Sequence, residues 1–344
     1  MPAANVTVGI INYNGMDVLP AALQAVRALQ YPAYDVVVVD NHSTDGSPEW
    51  LREHHPQVTC LAMPRNLGLP AARNVVLAHA TGEHVLIIDN DISVAPDMLT
   101  RLMDALDSEP QAGVSHPELH DDNDPWAYHY SGGWIHFLCT LIARQKPDPG
   151  TPRGAIETFD VVSGAALLIR RARALEIGGF DGDYFFNWED GDFTSRMTLA
   201  GYPCLHVPAA VAGHRGKPRG TSKVFYQVRN RWYFMLKLYN WRTLILIAPM
   251  LLLFEILQAL FLLKKGALKE YVRGNVAVVK SLPMILAKRR AFQPLKKMRD
   301  RDWLRAGQMY VPPQLNQPGG LMERLQAAFF GVCGVYWRLV RPVC

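Results

Sequence analysis

The sequence predicts an α/β domain built on a mostly parallel sheet with helices on both faces, and three observations carry that prediction. Short runs rich in β-branched residues, VTVGII (6–11), DVVVVD (35–40) and HVLIID (84–89), read as strands buried on both faces. Segments with a helical apolar period separate them, and alternating strand and helix produce a parallel sheet covered by helices. The third run ends abruptly in two acids, Asp89 and Asp91, and the carboxyl edge of such a sheet is where these folds bind ligands.

Each element follows in order. A helix is expected around 17–29, where Leu19, Leu23, Val26 and Leu29 share a face. After the second strand, STDGSPEW (43–50) makes a turn, with Ser47 as N-cap and Pro48 at the first helical position. A strand near 58–61 and a helix near 70–80 lead into the third acidic-ended strand. From about 117 to 152 the pattern is irregular and rich in Pro, Gly, Trp and Tyr, so loops are expected. Strands return at FDVV (159–162) and ALLIRR (166–171), and IGGF (177–180) reads as a helix stop with Gly at the C-cap. A helix over 189–200, with Phe193, Met197 and Ala200 on one face, precedes a short strand at CLHVPA (204–209). No internal repeat is visible.

Composition bounds the rest. At 344 residues the chain suffices for one large domain or two modest ones. Its five cysteines are odd in number and lack CxxC spacing, which fits a reducing compartment and argues against a disulfide framework. The first residues, MPAANVTVGII, lack a charged segment before the apolar run, so no signal peptide is expected. The net charge of +5 hides an asymmetry: residues 1–228 hold 16 Lys/Arg against 26 Asp/Glu, whereas 229–310 hold 17 against 4. A boundary is therefore expected near 229, giving a domain over 1–228, a basic apolar helical region over 229–310 and a linker with a further helix over 311–344. Basic clusters serve nucleic acid or anionic lipid, and the adjacent apolar segments favour an anionic membrane surface; no nucleic acid is expected.

TLILIAPMLLLFEILQALFLL (243–263) is long enough to cross a bilayer, yet Pro249, Glu255 and Gln258 interrupt it. A mid-span charge costs on the order of 3 kcal/mol on insertion scales. NVAVVKSLPMILA (275–287) is shorter and is followed by the basic stretch KRRAFQPLKKMRDR (288–301). The expectation is a pair of interfacial or re-entrant helices that tether the domain to a membrane. A true span, a buried helical subdomain and a homodimer interface are the alternatives.

Nine segments, taken in order over 5–235, carry a resemblance. They are GIINYNG (9–15), VVVVDNHSTDGS (36–47), RNLGLPAARN (65–74), GEHVLIIDNDI (82–92), SGAALLIRR (163–171), IGGFD (177–181), WEDGDFTSRMTLAGY (188–202), VPAAVAGHRG (207–216) and RNRWYF (229–234). Together they resemble the family 2 glycosyltransferases of the GT-A fold, and among these bacterial rhamnosyltransferase-like enzymes that extend lipid-linked or cell-surface glycans.

The resemblance implies a set of roles. On the donor side, Asp40 would accept a hydrogen bond from the nucleotide base, Asn12 and Tyr13 would lie beside that base, and Asp45 would hold the loop. Arg73 would approach base or diphosphate, and Asp89 would contact the ribose. Asp91 would bind Mg²⁺ or Mn²⁺, with His214 as a second ligand or diphosphate contact; such a cation bridges the two phosphates and neutralises the leaving group. Asp190 would be the general base that takes the proton from an acceptor hydroxyl, with Glu189 orienting the acceptor and Trp188 stacking on a sugar. Both acids open a helix, whose dipole favours their ionised forms. Gly164 would let the backbone approach the donor sugar. Each residue also has a plain structural reading: Asp40 as a turn acid, Arg73 as a helix residue, His214 as a packing histidine, and Gly164 as a tight sheet position.

The implied function is metal-dependent, inverting transfer of a sugar from a dTDP-, UDP- or GDP-sugar to a lipid-linked or surface glycan at the cytoplasmic face of the bacterial inner membrane. The alternative is a non-catalytic membrane scaffold with a relic nucleotide-sugar fold. A nucleotidyltransferase is disfavoured because GIINYNG has no basic residue and no phosphate loop.

Overall fold

The computed structural model describes residues 6–122, 131–144, 154–215, 223–310 and 321–344. The elements in chain order are β1 (Val6–Asn12), α1 (Leu19–Arg27), β2 (Tyr34–Asp40), α2 (Ser47–His54), β3 (Thr59–Ala62), α3 (Leu69–His79), β4 (His84–Asp89), β5 (Ile92–Val94), α4 (Met98–Ser108) and β6 (Val114–Asp121). Next come β7 (Gly132–His136), β8 (Thr140–Ala143), β9 (Glu157–Phe159), β10 (Val161–Val162), β11 (Ala166–Arg170), α5 (Arg171–Glu176), α6 (Glu189–Leu199) and β12 (Cys204–His214). The helices α7 (Lys223–Leu238), α8 (Trp241–Lys264), α9 (Leu268–Lys280), α10 (Leu282–Phe292), α11 (Asp300–Trp303) and α12 (Leu321–Val340) complete the chain. Two compact units result: Met1–Gly132 with Gln145–Pro218, and Gly133–Arg144 with Arg219–Cys344.

The first unit is an α/β sheet in the order β3-β2-β1-β4-β11-β6-β12-β5, with β9 pairing to β12. β3, β2, β1 and β4 run parallel. β11 then joins antiparallel between β4 and β6. β1 is buried along its whole length, which is why it reads as an unbroken apolar run rather than an alternating one. The core lies where Val8, Ile10, Leu86 and Ile88 meet Leu19, Leu23 and Val26 of α1 and Leu99, Leu102 and Leu106 of α4, all essentially inaccessible.

Three expectations need correction. The N-cap of α2 is Gly46, whose φ of 85° suits glycine; Ser47 is the first helical residue and its hydroxyl bonds Asp45 instead. FDVV is not one strand but parts of β9 and β10. Within 117–152, β6 runs on to Asp121, while β7 and β8 pair antiparallel from Gly133–Ala143 to His136–Thr140. The sequence SHPELHD of β6 hides its strand because buried His116 replaces the usual β-branched residue and Pro117 sits inside it, opposite Val207 of β12. Residues 123–130 and 145–152 of that stretch lie outside the described residues, as does the linker PPQLNQPGG.

The second unit is mostly helical, with the β7–β8 pair as its strand part. Among the described residues α8 is the one helix long and apolar enough to cross a bilayer, and only 17% of its most apolar window is buried. Ile245, Leu252, Ile256, Leu260 and Leu263 are exposed, whereas Thr243, Ile247, Met250 and Leu251 face inward. Glu255, read from sequence as a mid-span charge, lies against Arg231 of α7 and accepts a 2.7 Å hydrogen bond from the Tyr271 hydroxyl of α9. Its charge is therefore answered within the protein.

Candidate active site

The site grows from the carboxyl ends of β1, β2 and β4. The register pairs Asn12 with Asp40, and Ile11 with Asp89, so the three polar residues come to one edge. Asn12 is buried and its Nδ2 donates to Asp40 at 2.9 Å and to Ser47 at 2.8 Å, while its Oδ1 accepts from Asn90 at 2.8 Å. Asp40 accepts from the Ser43 backbone N–H at 2.9 Å and from the Ser43 hydroxyl at 2.5 Å. It is 2% exposed, so the carboxylate turns inward and closes the loop after β2. Asp45 accepts from Met16 N at 2.7 Å and from Ser47 at 2.6 Å. Burial raises its pKa, but these bonds from Ser47 and Met16 prevail and leave it lowered. Tyr13, at the end of β1, is 48% exposed and presents a free-standing ring at this edge.

Arg73, on α3, is the hub. It is 1% exposed, and its guanidinium donates to Asp89 at 3.1 Å and to the Gly164 carbonyl at 3.0 Å, and lies 3.4 Å from Glu189. Its face covers the Phe180 ring at 5.5 Å. Arg73 thus sits beneath the site, tying the acid at the end of β4 to the acid that opens α6. Gly164 is glycine for a local reason: a Cβ there would stand 2.7 Å from Arg73 and 2.8 Å from Asp190.

The pair opening α6 divides in character. Asp190 accepts from Gly164 N at 2.9 Å and from Gly191 N at 2.7 Å, one bond to each oxygen, and is partly exposed. Glu189 is 4% exposed. Burial, then the neighbouring Asp190 charge, push its pKa to about 7 against the opposing pull of Arg73. The approach to this pair is strained: Phe185, Asn187 and Trp188 all have positive φ, at 62°, 69° and 69°. Non-glycine residues held there cost on the order of 1–3 kcal/mol each, and such strain clusters at functional sites. The segment is pinned on two sides. Leu69 N donates to the Phe185 carbonyl at 2.9 Å, and a Cβ on Gly68 would meet that carbonyl at 2.3 Å. Asn74 exchanges two 2.8 Å bonds with the Phe180 backbone.

Two supporting residues carry no flag in the sequence beyond their spacing. Asp192 and Arg196 form a buried i,i+4 pair at 2.8 Å. Asp192 also accepts from Tyr184, and Arg196 donates to the carbonyls of Ile177 and Gly179. Together they lock the 177–184 loop to α6.

The remaining acid, Asp91, places its carboxylate 3.4 Å from His214 Nε2 at the end of β12. Two donors bound side by side to one octahedral cation at its usual bond length stand about 3 Å apart. This pair of donors would suit a divalent cation. Asp89 stands apart from this pair by its bond to Arg73; burial raises its pKa and Arg73 opposes the rise.

Comparison with known proteins bears on the family and the fold. Residues 7–173 match the family described as Glycosyl transferase family 2. The chain is 28% identical over 207 residues to the N-acetylglucosaminyl-diphospho-decaprenol L-rhamnosyltransferase of Mycobacterium tuberculosis, covering 52% of this chain and 66% of that protein. It is 26% identical over 220 residues to the Haloferax volcanii glycosyltransferase AglE, covering 62% of this chain and 68% of the relative. The match to the first relative thus falls just short of two thirds of its length. In fold it is similar to the Pyrobaculum calidifontis mannosyltransferase PcManGT in complex with GDP-Man and Mn²⁺, with a TM-score of 0.52 at 20% identity, covering 98% of this chain and 87% of that one. It is likewise similar to GalNAc-T7 with UDP, GalNAc and Mn²⁺, with a TM-score of 0.55 at 16% identity, covering 70% of this chain and 49% of that one. Residues 7–173 therefore match the family 2 glycosyltransferase model, the fold is similar to that of GT-A glycosyltransferases, and the chain is similar in sequence to a rhamnosyltransferase.

Proposed function

We propose that the chain is an inverting glycosyltransferase that moves a sugar, a deoxyhexose such as rhamnose, from a nucleotide-diphosphate donor to a hydroxyl of a lipid-linked glycan at a membrane surface. The observation that carries this reading is the Arg73 hub, which joins the donor-side acid Asp89 to the Glu189–Asp190 pair at one sheet edge. The named substrate of the M. tuberculosis relative supports the lipid-linked acceptor and the sugar.

In this reading Asn12, Asp40 and Asp45 shape the loop against which the base lies, and Tyr13 stacks on it. Asp91 and His214 would hold Mg²⁺ or Mn²⁺, which would supply charge to neutralise the leaving diphosphate. Asp190 takes the proton as the acceptor oxygen attacks the anomeric carbon from the face opposite the leaving group. That geometry inverts the centre. The backbone bonds to Asp190 fix its direction, and the start of α6 favours its charge. Glu189 and Arg73 are positioning residues, and Trp188 offers a platform for the acceptor sugar.

The test is donor binding and transfer by the full-length protein. With Mn²⁺ present, Asp91→Ala is expected to weaken binding of a nucleoside diphosphate at least tenfold. Asp190→Asn should bind the donor normally yet lose on the order of 10²–10⁴ in transfer rate. Unchanged metal-dependent binding in the first variant would sink the metal site. Full transfer by the second would move the base elsewhere, and no transfer by the wild type from any donor would favour the scaffold.

A further inference from the structure

The helical unit contains a cavity of about 640 Å³ that the reading above does not use. Its size falls in the range of small-ligand sites. The floor is apolar: Leu304 is 1% exposed, Trp337 is 3% exposed, and Phe330 stands beside them. Trp337 is itself held by a parallel stack on Phe137, with ring centroids 5.0 Å apart. The rim is cationic. Arg305, Arg338 and Arg341 line it against a single acid, Asp302.

The wall is a stripe of α12 and the turn after it. Positions 330, 334, 337, 338 and 341 recur at helical spacing, so they share one face. Gly334 leaves room in that face, because a Cβ there would meet nothing within 4 Å. Neither Arg338 nor Arg341 has a carboxylate within ion-pair distance among the described residues; their recorded bonds go to the Gly334 and Arg301 carbonyls. Other faces of α12 expose Leu325, Val332, Val335 and Leu339. Guanidinium groups bind phosphate oxygens in pairs, with geometry an ammonium does not match. Exposed apolar side chains on the same helix suit an acyl or prenyl chain beside a headgroup.

We propose that this cavity binds the phosphate or diphosphate group of a membrane lipid, with Arg338 and Arg341 on the anion and Trp337 beneath the first carbons of its chain. For the reading above, this is a holding site for the diphosphate of a lipid-linked acceptor; that link rests on the transferase reading, whereas the binding does not.

The experiment is vesicle flotation of the full-length protein. Phosphatidylcholine vesicles, alone or doped with farnesyl diphosphate or with phosphatidylglycerol, supply the arms, and inorganic pyrophosphate supplies the soluble competitor. Doping with farnesyl diphosphate is expected to lower the lipid concentration for half-binding at least tenfold, and pyrophosphate should reverse that gain. R338A/R341A should abolish the gain while keeping the basal binding to phosphatidylcholine. Because Arg341 also braces Arg301, Gly334→Leu is the second variant: it fills the cavity, suits a helix and leaves every arginine in place. It should abolish the gain equally. An equal, cavity-dependent gain with phosphatidylglycerol would make the lipid source a general phospholipid. A gain with farnesyl diphosphate alone would make it a diphosphate. No gain with either lipid, or a gain that survives both variants, overturns the proposal.

Discussion

At the scale of single residues, Glu189 and Asp190 show how neighbours of one charge come to differ. Asp190 has a backbone N–H on each oxygen, and Glu189 has burial and a like charge beside it. A carboxyl whose folded pKa rises from 4.5 to about 7 binds its proton more tightly folded than unfolded. Stability is therefore highest below the unfolded value and declines as pH rises through the window to about 7, by on the order of 3 kcal/mol for a rise of that size. Above that window the contribution is flat. Glu189→Gln removes the titrating group, so urea unfolding of the variant should lack this decline, and the variant should gain on the wild type as pH rises from 5 to 8. Parallel curves for the two proteins would show that Glu189 ionises as an ordinary glutamate. The acids themselves were legible in the sequence, because WED opens a helical pattern. The depth of Glu189 was not, since its environment comes from Arg73, more than a hundred residues away. The same distance hid the partners of Arg73, which the resemblance offers only as a cation approaching base or diphosphate.

At the scale of elements, runs of β-branched residues identified β1, β2 and β4 because strands buried on both faces need no polar alternation. β6 escaped because its face carries histidines and glutamate in place of valine and isoleucine. α8 was legible as an apolar helix, yet its inward side was not, for the partners of Glu255 lie on α7 and α9. That pair yields a prediction specific to these helices. Glu255→Ala leaves the Arg231 guanidinium buried without its acid and should destabilise by about 3–5 kcal/mol. Removing both charges, as in R231M/E255L, should cost far less, because well-packed apolar replacements for a buried ion pair are often neutral. Denaturant unfolding of the two variants decides it. A small loss in Glu255→Ala beside a larger one in R231M/E255L would mean that Arg231 acts through its bond to the Leu138 carbonyl and its stacking on Phe254 rather than through the charge pair.

At the scale of the whole molecule, the chain divides its charge as it divides its chemistry: an acidic front that carries the sheet and a basic, leucine-rich back that carries the helices. The back bears an exposed apolar face on α8 and further exposed aliphatic residues on α9 and α12, alongside Lys264, Lys265, Lys269 and Arg273. For the membrane attachment proposed above, two modes are physically distinct. A crossing helix would send its two ends to opposite sides, whereas a helix lying in one leaflet keeps both on the same side. The inward stripe of Thr243, Ile247, Met250 and Leu251, together with the partners of Glu255, commits one face of α8 to protein and favours the second mode. Single cysteines at Arg242 and Lys265, introduced after replacing the native five, should both react with an impermeant maleimide added outside vesicles carrying the protein on their outer surface. Attachment should also weaken with salt on anionic vesicles and much less on neutral ones, since each cation near a charged surface contributes roughly 1 kcal/mol that salt screens. If Lys265 labels only after the vesicles are opened, α8 crosses the bilayer, and the inward stripe must then pack within the membrane instead of above it.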